Sequence, residues 1–254
     1  MKTAILIPAR YASARLPGKP LLRATGKYLI QHVYERACQA RSAGLVIVAT
    51  DDARIAEAVR AFGGRVEMTR ADHPSGTDRV AEVARRLDAE VIVNLQGDEP
   101  LVEPSSLDLL PELLGRDPDA DVATLAAPIT SAEQWRDPAC VKVVRDACGR
   151  ALYFSRSPVP FVRDGQPDFA GRPARFLQHV GIYAYRRDFL FEFAAAPPSA
   201  LERLEKLEQL RALAMGRTIG VGRIEGATLG VDTYEDYQRF VAAYRAMRSG
   251  KEAA

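Results

Sequence analysis

The sequence predicts an α/β fold: a mainly parallel, doubly wound sheet with helices on both faces and a small β substructure inserted in the second half. Three observations carry this. Short, branched, apolar runs recur at residues 3–7, 45–49, 65–68 and 90–95, the composition of strands buried on both faces. Between them lie stretches whose apolar residues return every three or four positions, which puts them on one helical face. The alternation of the two means βαβ crossovers, and these build a parallel sheet.

The elements follow in order. The helix of residues 29–40 lines up Ile30, Val33, Ala37 and Cys38, that of 52–62 Ile55, Val59 and Phe62, and that of 76–87 Val80, Val83, Ala84 and Leu87. A helix near 104–114 and a strand at 122–126 come next. Residues 141–144 and 151–154 then flank a turn at 146–149, a strand–turn–strand signal. Pro158 and Pro160 bar a central strand, so this section is expected to leave the main sheet as an edge or lid. Residues 179–186 read as a further strand, and 199–215 as one helix with Ser199 as its N-cap and Gly216 past its end. A last helix is expected over 234–247, with Thr233 and Asp236 close to capping-box spacing. Repeats and linkers are absent, which predicts one domain over 1–254.

Composition excludes several classes. The 254 residues carry 35 Lys+Arg against 33 Asp+Glu, a formal charge of +2, with 47% hydrophobic residues. This is the mix of a soluble globular protein, long enough to bury about 70–75% of its unfolded surface. No apolar run approaches the roughly 18–20 residues of a membrane span, so no membrane insertion is expected. Residues 4–7 before Pro8 are too short for a signal-peptide core. Cys38, Cys140 and Cys148 form no C-x-x-C, which predicts reduced thiols in a cytoplasmic protein. Neither a wide basic footprint nor an aromatic-basic module is present, which argues against a nucleic-acid partner.

Residues 1–34 contain six basic residues and no acid, and three of the six lie in the loop after the first strand. Ligands of open α/β sheets bind at such strand ends. The loop, P-A-R-Y-A-S-A-R-L-P-G-K-P over 8–20, is neither a dinucleotide fingerprint nor a P-loop. Arg10, Arg15 and Lys19 can converge on a polyphosphate, guanidinium forks beside a movable ammonium. The bland reading is a loop that happens to be basic; its position and the Pro17-Gly18 restraint on Lys19 favour phosphate. The strand at 90–95 ends in Gln96-Gly97-Asp98-Glu99-Pro100. A carboxylate there suits Mg²⁺ shared with phosphate, although the same residues make a polar turn. Asp232 either completes that metal site or caps the helix after it, and the sequence leaves both open. His73-Pro74-Ser75-Gly76-Thr77-Asp78-Arg79 offers helix N-terminal amides to an anion or base edge, or is a plain helix start.

Nine segments, in register along nearly the whole chain, resemble the 3-deoxy-manno-octulosonate (Kdo) cytidylyltransferases, the CMP-Kdo synthetases. They are I-P-A-R-Y-A-S-A-R-L-P-G-K-P-L (7–21), A-T-D-D (49–52), H-P-S-G-T-D-R (73–79), V-N-L-Q-G-D-E-P (93–100) and K-V-V-x-D (142–146). The others are A-L-Y-F-S-R-S-P-V-P (151–160), H-V-G-I-Y-A-Y (179–185), L-E-Q-L-R (207–211) and G-V-D-T-x-E-D (230–236). Ala14 and Tyr234 depart from the pattern, which more usually has a hydroxyl residue and a proline there.

The resemblance implies a Rossmann-like sheet of the nucleotide-diphospho-sugar transferase type. It implies transfer of CMP from CTP to Kdo with Mg²⁺, releasing pyrophosphate, for lipopolysaccharide synthesis. Carried onto this chain, Ala9, Arg10, Ser13, Arg15 and Lys19 would hold the triphosphate, and Ser75, Gly76, Arg79 and Gln96 would surround the nucleotide. Asp98 and Asp232 would hold the metal and, with Arg15 and Lys19, form the catalytic set. Arg156, His179, Tyr183, Glu208 and Gln209 would contact the sugar acid. A homodimer is implied, with about 141–187 as a sugar-binding and dimerisation subregion.

Read as residues alone, these sugar contacts have plainer alternatives. A lone histidine at a strand start is ordinarily structural. Glu205 and Glu208 suit solvent-facing helix charges, and adjacent mid-helix residues such as Glu208 and Gln209 point about 100° apart. Tyr183 and Tyr185 share a strand face, so one of them can be core. Three competing functions are a cytidylyltransferase for another acid sugar, a nicotinamide-dependent oxidoreductase and a non-catalytic nucleotide sensor.

Overall fold

Four parallel strands organise the first part of the chain: β1 (Thr3–Ala9), β2 (Leu45–Thr50), β3 (Val66–Met68) and β4 (Val91–Asn94), in the order β3-β2-β1-β4. Ala4 of β1 pairs with Leu45 on one side and Ile92 on the other. Every residue of β1 is buried, which is why it reads as a continuous apolar run. The crossovers are α1 (Leu29–Ala37), α2 (Ala53–Ala61) and α3 (Gly76–Ala84). Asp52 caps α2 by accepting the Arg54 N–H, and Ser75 and Asp78 form a reciprocal capping box on α3.

The computed structural model describes residues 1–12, 15–171, 173–226 and 230–252. The chain divides into two compact units, Met1–Asp108 with Thr228–Ala254, and Leu109–Ala227, and passes from one to the other within α4 (Pro104–Arg116). In the second unit β5 (Ala120–Pro128) is followed by α5 (Ala132–Arg136), β6 (Lys142–Arg145), β7 (Ala151–Ser155) and β8 (Leu177–Arg186). Then come α6 (Arg187–Ala195), α7 (Ala200–Glu205), α8 (Gln209–Ala214) and β9 (Thr218–Arg223). β5 lies between β8, antiparallel, and β9, parallel. β6 and β7 form the expected antiparallel hairpin, joined to β8 through Lys142 and Gln178. Helix α9 (Tyr234–Glu252) belongs to the first unit, where Tyr237, Phe240 and Val241 pack with Leu16, Leu29 and Val231. Each such large side chain contributes about 1.5–3 kcal/mol by leaving water.

The α/β class, with helices flanking mostly parallel strands, is as the periodicity predicts. The single helix expected over 199–215 is not found. Ser199 does cap α7, and Gly216 does follow α8, but Lys206 between them is left-handed at φ 54°. The reason lies in the leucines: Leu201 and Leu204 stay exposed while Leu207 and Leu210 are buried, so their spacing of three never marked one face. Helices α5 and α6 and strand β9 went unread. β9 looks like a loop because of Gly220 and Gly222, yet a Cβ at Gly222 would stand 2.9 Å from Leu113 Cδ1. Cys38, Cys140 and Cys148 are all free thiols. No helix among the described residues is long and apolar enough to cross a membrane.

Candidate active site

The loop after β1 closes on itself. The Gly18 N–H donates to the Tyr11 carbonyl at 3.0 Å, and Gly18 is left-handed at φ 69°, with the Tyr11 ring 3.3 Å from where a Cβ would stand. Arg54, held by Asp52 at 2.6 Å, stacks on that ring, its guanidinium carbon 3.3 Å from the centroid. The turn Lys19–Leu21 therefore starts from a fixed point, and Lys19 is aimed inward with its side chain only 12% exposed.

Lys19 Nζ donates to Asp98 Oδ2 at 2.7 Å and to the Val231 carbonyl at 2.8 Å, and lies 3.4 Å from Asp232 Oδ1. Asp98 sits just past β4, where a Cβ at Gly97 would come within 3.0 Å of the Pro8 carbonyl, so only glycine lets the two strand ends approach. The Val231 N–H donates to the Asp98 carbonyl at 2.8 Å and pins the Asp232 segment beside it. Arg15 reaches the other oxygen of Asp232 at 3.0 Å. Asp232 does not cap α9. Thr233 does, in a reciprocal box: its hydroxyl accepts the Asp236 N–H at 3.2 Å, and its own N–H donates to the Asp236 carboxylate at 2.8 Å. Burial pushes the Asp236 carboxyl up, but hydrogen bonds from Thr233, Arg239 and the Asp232 N–H bring it down to about 2.

Two carboxylates and a carbonyl thus converge on one cation, the Lys19 ammonium. That all-oxygen donor set is the kind Mg²⁺ takes, and with only two protein carboxylates it suits an ion that completes its shell with phosphate and water. Among the described residues no group of three His, Cys, Asp or Glu side chains could hold a metal unaided.

The remaining nucleotide candidates of this unit are placed as follows. Ala9 is buried at the end of β1. Arg10 is half-buried and donates to the His73 carbonyl at 2.8 Å, with burial and the Arg79 charge lowering its pKa. Ser75 and Gly76 open α3, and a Cβ on Gly76 would stand 3.3 Å from Pro8 and 3.7 Å from Gln96 Oε1, so these residues are brought together. Gln96 donates to Asn94 Oδ1 at 3.2 Å. Arg79 is placed differently: it is fully buried, donating to Thr69 and to the Arg70 carbonyl and lying 3.2 Å from Asp51, as an internal strut. Ser13 lies outside the described residues.

The sugar candidates all fall in the second unit. Arg156 follows β7. Its Nε donates to the Glu205 carbonyl at 2.7 Å and its Nη1 to the Pro138 carbonyl at 2.8 Å. His179 is buried, its Nε2 2.9 Å from Thr124 Oγ1 and its ring edge-on to Phe154. Burial pushes its pKa down to about 3, so it is neutral at physiological pH. The half-buried Tyr183 ring lies 5.4 Å from His179, and burial together with the Glu208 charge raises its hydroxyl pKa, keeping it a donor. Tyr185 is the core member of that pair, against Phe193.

Glu208 and Gln209 are not mid-helix but at the start of α8, with Glu208 3.6 Å from Arg211. Gln209 is buried, and its Nε2 has no hydrogen-bond partner among the described residues. Glu205 was missed by the sequence reading and is no solvent-facing charge: its carboxylate accepts from the Ser155 hydroxyl at 2.6 Å and the Arg156 N–H at 2.9 Å. Helical periodicity carries no signal for it, because it stands at the last position of a helix the sequence reads as continuing.

This geometry defines an α/β nucleotidyltransferase-type protein, with cations and carboxylates gathered at the carboxyl ends of parallel strands. The profile of the cytidylyltransferase family matches residues 4–219. The 3-deoxy-manno-octulosonate cytidylyltransferase of Syntrophotalea carbinolica is 52% identical over 250 residues, covering 97% of this chain and 100% of its own. That of Geobacter sulfurreducens is 53% identical over 244 residues, covering 94% and 98%. Among solved structures, a CMP:2-keto-3-deoxy-manno-octonic acid synthetase complexed with CTP superposes with a TM-score of 0.90 at 47% identity, covering 97% of this chain and 100% of its own. The chain belongs to the cytidylyltransferase family and, within it, to the 3-deoxy-manno-octulosonate cytidylyltransferases.

Proposed function

We propose that this protein transfers CMP from CTP to the anomeric 2-hydroxyl of Kdo, giving CMP-Kdo and pyrophosphate, the activated sugar of lipopolysaccharide synthesis. The observation that carries the reading is the Lys19 ammonium, from the loop after β1, held between Asp98 past β4 and Asp232 ahead of α9. The sugar hydroxyl oxygen bonds to the α-phosphorus as the bond to the bridging oxygen breaks, and the hydroxyl proton leaves to solvent. Both reactants are anions, so the chain's task is charge neutralisation and alignment. Lys19 and Arg15 exchange their carboxylates for phosphate oxygens and take up the charge that develops on pyrophosphate. Arg10 holds the triphosphate from the other end of the same loop, and the opening of α3, with Gln96, lies around the nucleotide. Mg²⁺, held by Asp98 and Asp232 with substrate phosphate, would supply Lewis-acid neutralisation and lower the pKa of the attacking hydroxyl.

In the second unit Arg156 takes the Kdo carboxylate, where a planar fork matches a planar anion. The orphaned, buried Gln209 Nε2 supports a ligand there, because an unpaired buried amide costs about 1–3 kcal/mol until something accepts from it. The protein works as a cytoplasmic homodimer in this reading. Leu152, Phe161 and Leu204, at 60%, 81% and 80% exposure, support contact with a second copy. The deciding experiment measures pyrophosphate release from CTP and Mg²⁺ with and without Kdo, with ATP, GTP and UTP as controls. Release requiring CTP and Kdo together is expected. Release only with another 2-keto acid sugar would move the substrate, and CTP binding without any release would favour a sensor.

A further inference from the structure

Lys142 opens the K-V-V-x-D run, a motif to which the reading above gives no role. Its side chain is fully buried, yet among the described residues no carboxylate pairs with it. Its ammonium donates instead to three backbone carbonyls: Asp137 at 2.9 Å, Cys140 at 2.6 Å and Arg156 at 2.6 Å. Burying a cation without a counter-ion is costly, and here the cost is met by three aligned dipoles. Burial accordingly lowers the lysine pKa, opposed by the charges of Asp137 and Glu205.

What those dipoles belong to is informative. Two of them, Asp137 and Cys140, bracket Pro138, whose carbonyl accepts Arg156 Nη1; the third is the carbonyl of Arg156 itself. Glu205 also holds Arg156. Its carboxylate accepts the Arg156 N–H and its carbonyl accepts Nε. Arg156 is therefore held at its N–H, its C=O, Nε and Nη1, while among the described residues nothing is bonded to Nη2.

We infer that Lys142 and Glu205 are positioning residues that clamp Arg156 in one rotamer, with Nη2 left to take the carboxylate of the sugar acid. The inference rests on Arg156 being the carboxylate-binding residue. An arginine on a flexible four-bond stem would otherwise lose that freedom when the substrate binds; the clamp makes the loss at folding, so it appears as affinity for the sugar.

The test is steady-state kinetics of the full chain, with KM for Kdo and for CTP measured separately in K142M, E205Q and R156A and in the double variants K142M/R156A and E205Q/R156A. K142M and E205Q are each expected to raise the Kdo KM about tenfold and leave the CTP KM within about twofold. Added to R156A, either change should cause no further rise, because the group it positions is gone. An unchanged Kdo KM, losses falling equally on both substrates, or full additivity with R156A would overturn the clamp. A wild-type Kdo KM in R156A would instead overturn the carboxylate role beneath it. Should K142M fail to fold, E205Q, whose side chain keeps its volume, decides alone.

Discussion

Lys19 Nζ lies 2.7 Å from Asp98 Oδ2, so a residue of the first loop and one from the far side of three crossovers share a single buried-side contact. The pair defines what each substitution should do. Asp98→Asn keeps the shape but removes the charge that holds Lys19 and, in the proposed reaction, the metal. Turnover should fall at least about a hundredfold, with Lys19→Ala comparably affected. Pyrophosphate release at saturating CTP and sugar checks this, and near-wild-type turnover in Asp98→Asn would remove the metal assignment.

Glu208 stands at the start of α8, beside Arg211 and close enough to Tyr183 for its charge to raise the tyrosine pKa. Glu208→Ala should raise the Kdo KM about tenfold while leaving CTP affinity intact. Calorimetric titration with CTP and kinetics with Kdo separate the two. A larger loss of CTP affinity would break the division of labour between the units.

Two buried histidines make the protein acid-sensitive. His179 and His32 have folded pKa values of about 3 and about 4 against an ordinary 6.5, both lowered chiefly by burial. Between those values and 6.5 the unfolded chain binds more protons, so stability is full above about pH 6.5 and falls as pH drops. For His179 the loss between pH 7 and pH 5 is about 2 kcal/mol. Denaturant unfolding at both pH values should show it, and His179→Gln should shrink the difference by that amount.

Lys206 is the one non-glycine residue among those described with a left-handed backbone, and its side chain is exposed. Lys206→Gly should be neutral to within about 0.5 kcal/mol, whereas Lys206→Val should cost about 1–2 kcal/mol. Because the turn sets Glu205 and Glu208, the valine variant should also weaken the sugar KM. Thermal melts paired with kinetics test both halves.

The parts of this molecule legible in its sequence are those specified locally. Strands β1, β2 and β4 declare themselves because both faces are buried, and Lys19 and Asp98 because each lies in the loop that follows a strand. What escaped is set by tertiary neighbours. Gly222 looks like a loop breaker until Leu113 is seen against it, and the turn at Lys206 is invisible in a leucine spacing that fits a helix. Arg79 reads as a ligand-facing cation in its motif, yet Asp51 and the Arg70 carbonyl keep it inside. Asp232 stayed ambiguous because an acid just ahead of a helix suits a cap as well as a metal, and only geometry gives the cap to Thr233, with Asp236 as its reciprocal partner.

Lys19 and Val231 are 212 residues apart, so this contact also has a date in the life of the chain. At about 5–20 residues per second, a ribosome adds Val231 and Asp232 roughly 10–40 s after Lys19. The whole second unit is made in that interval, as one uninterrupted stretch. Until this last stretch emerges, Leu16 and Leu29 have no Phe240 to pack against, Arg15 lacks Asp232, and Lys19 lacks the second of its two acids. A chain stalled in that window would present bare hydrocarbon beside a cationic loop, the kind of surface on which chaperones act. The first unit is thus begun first and finished last.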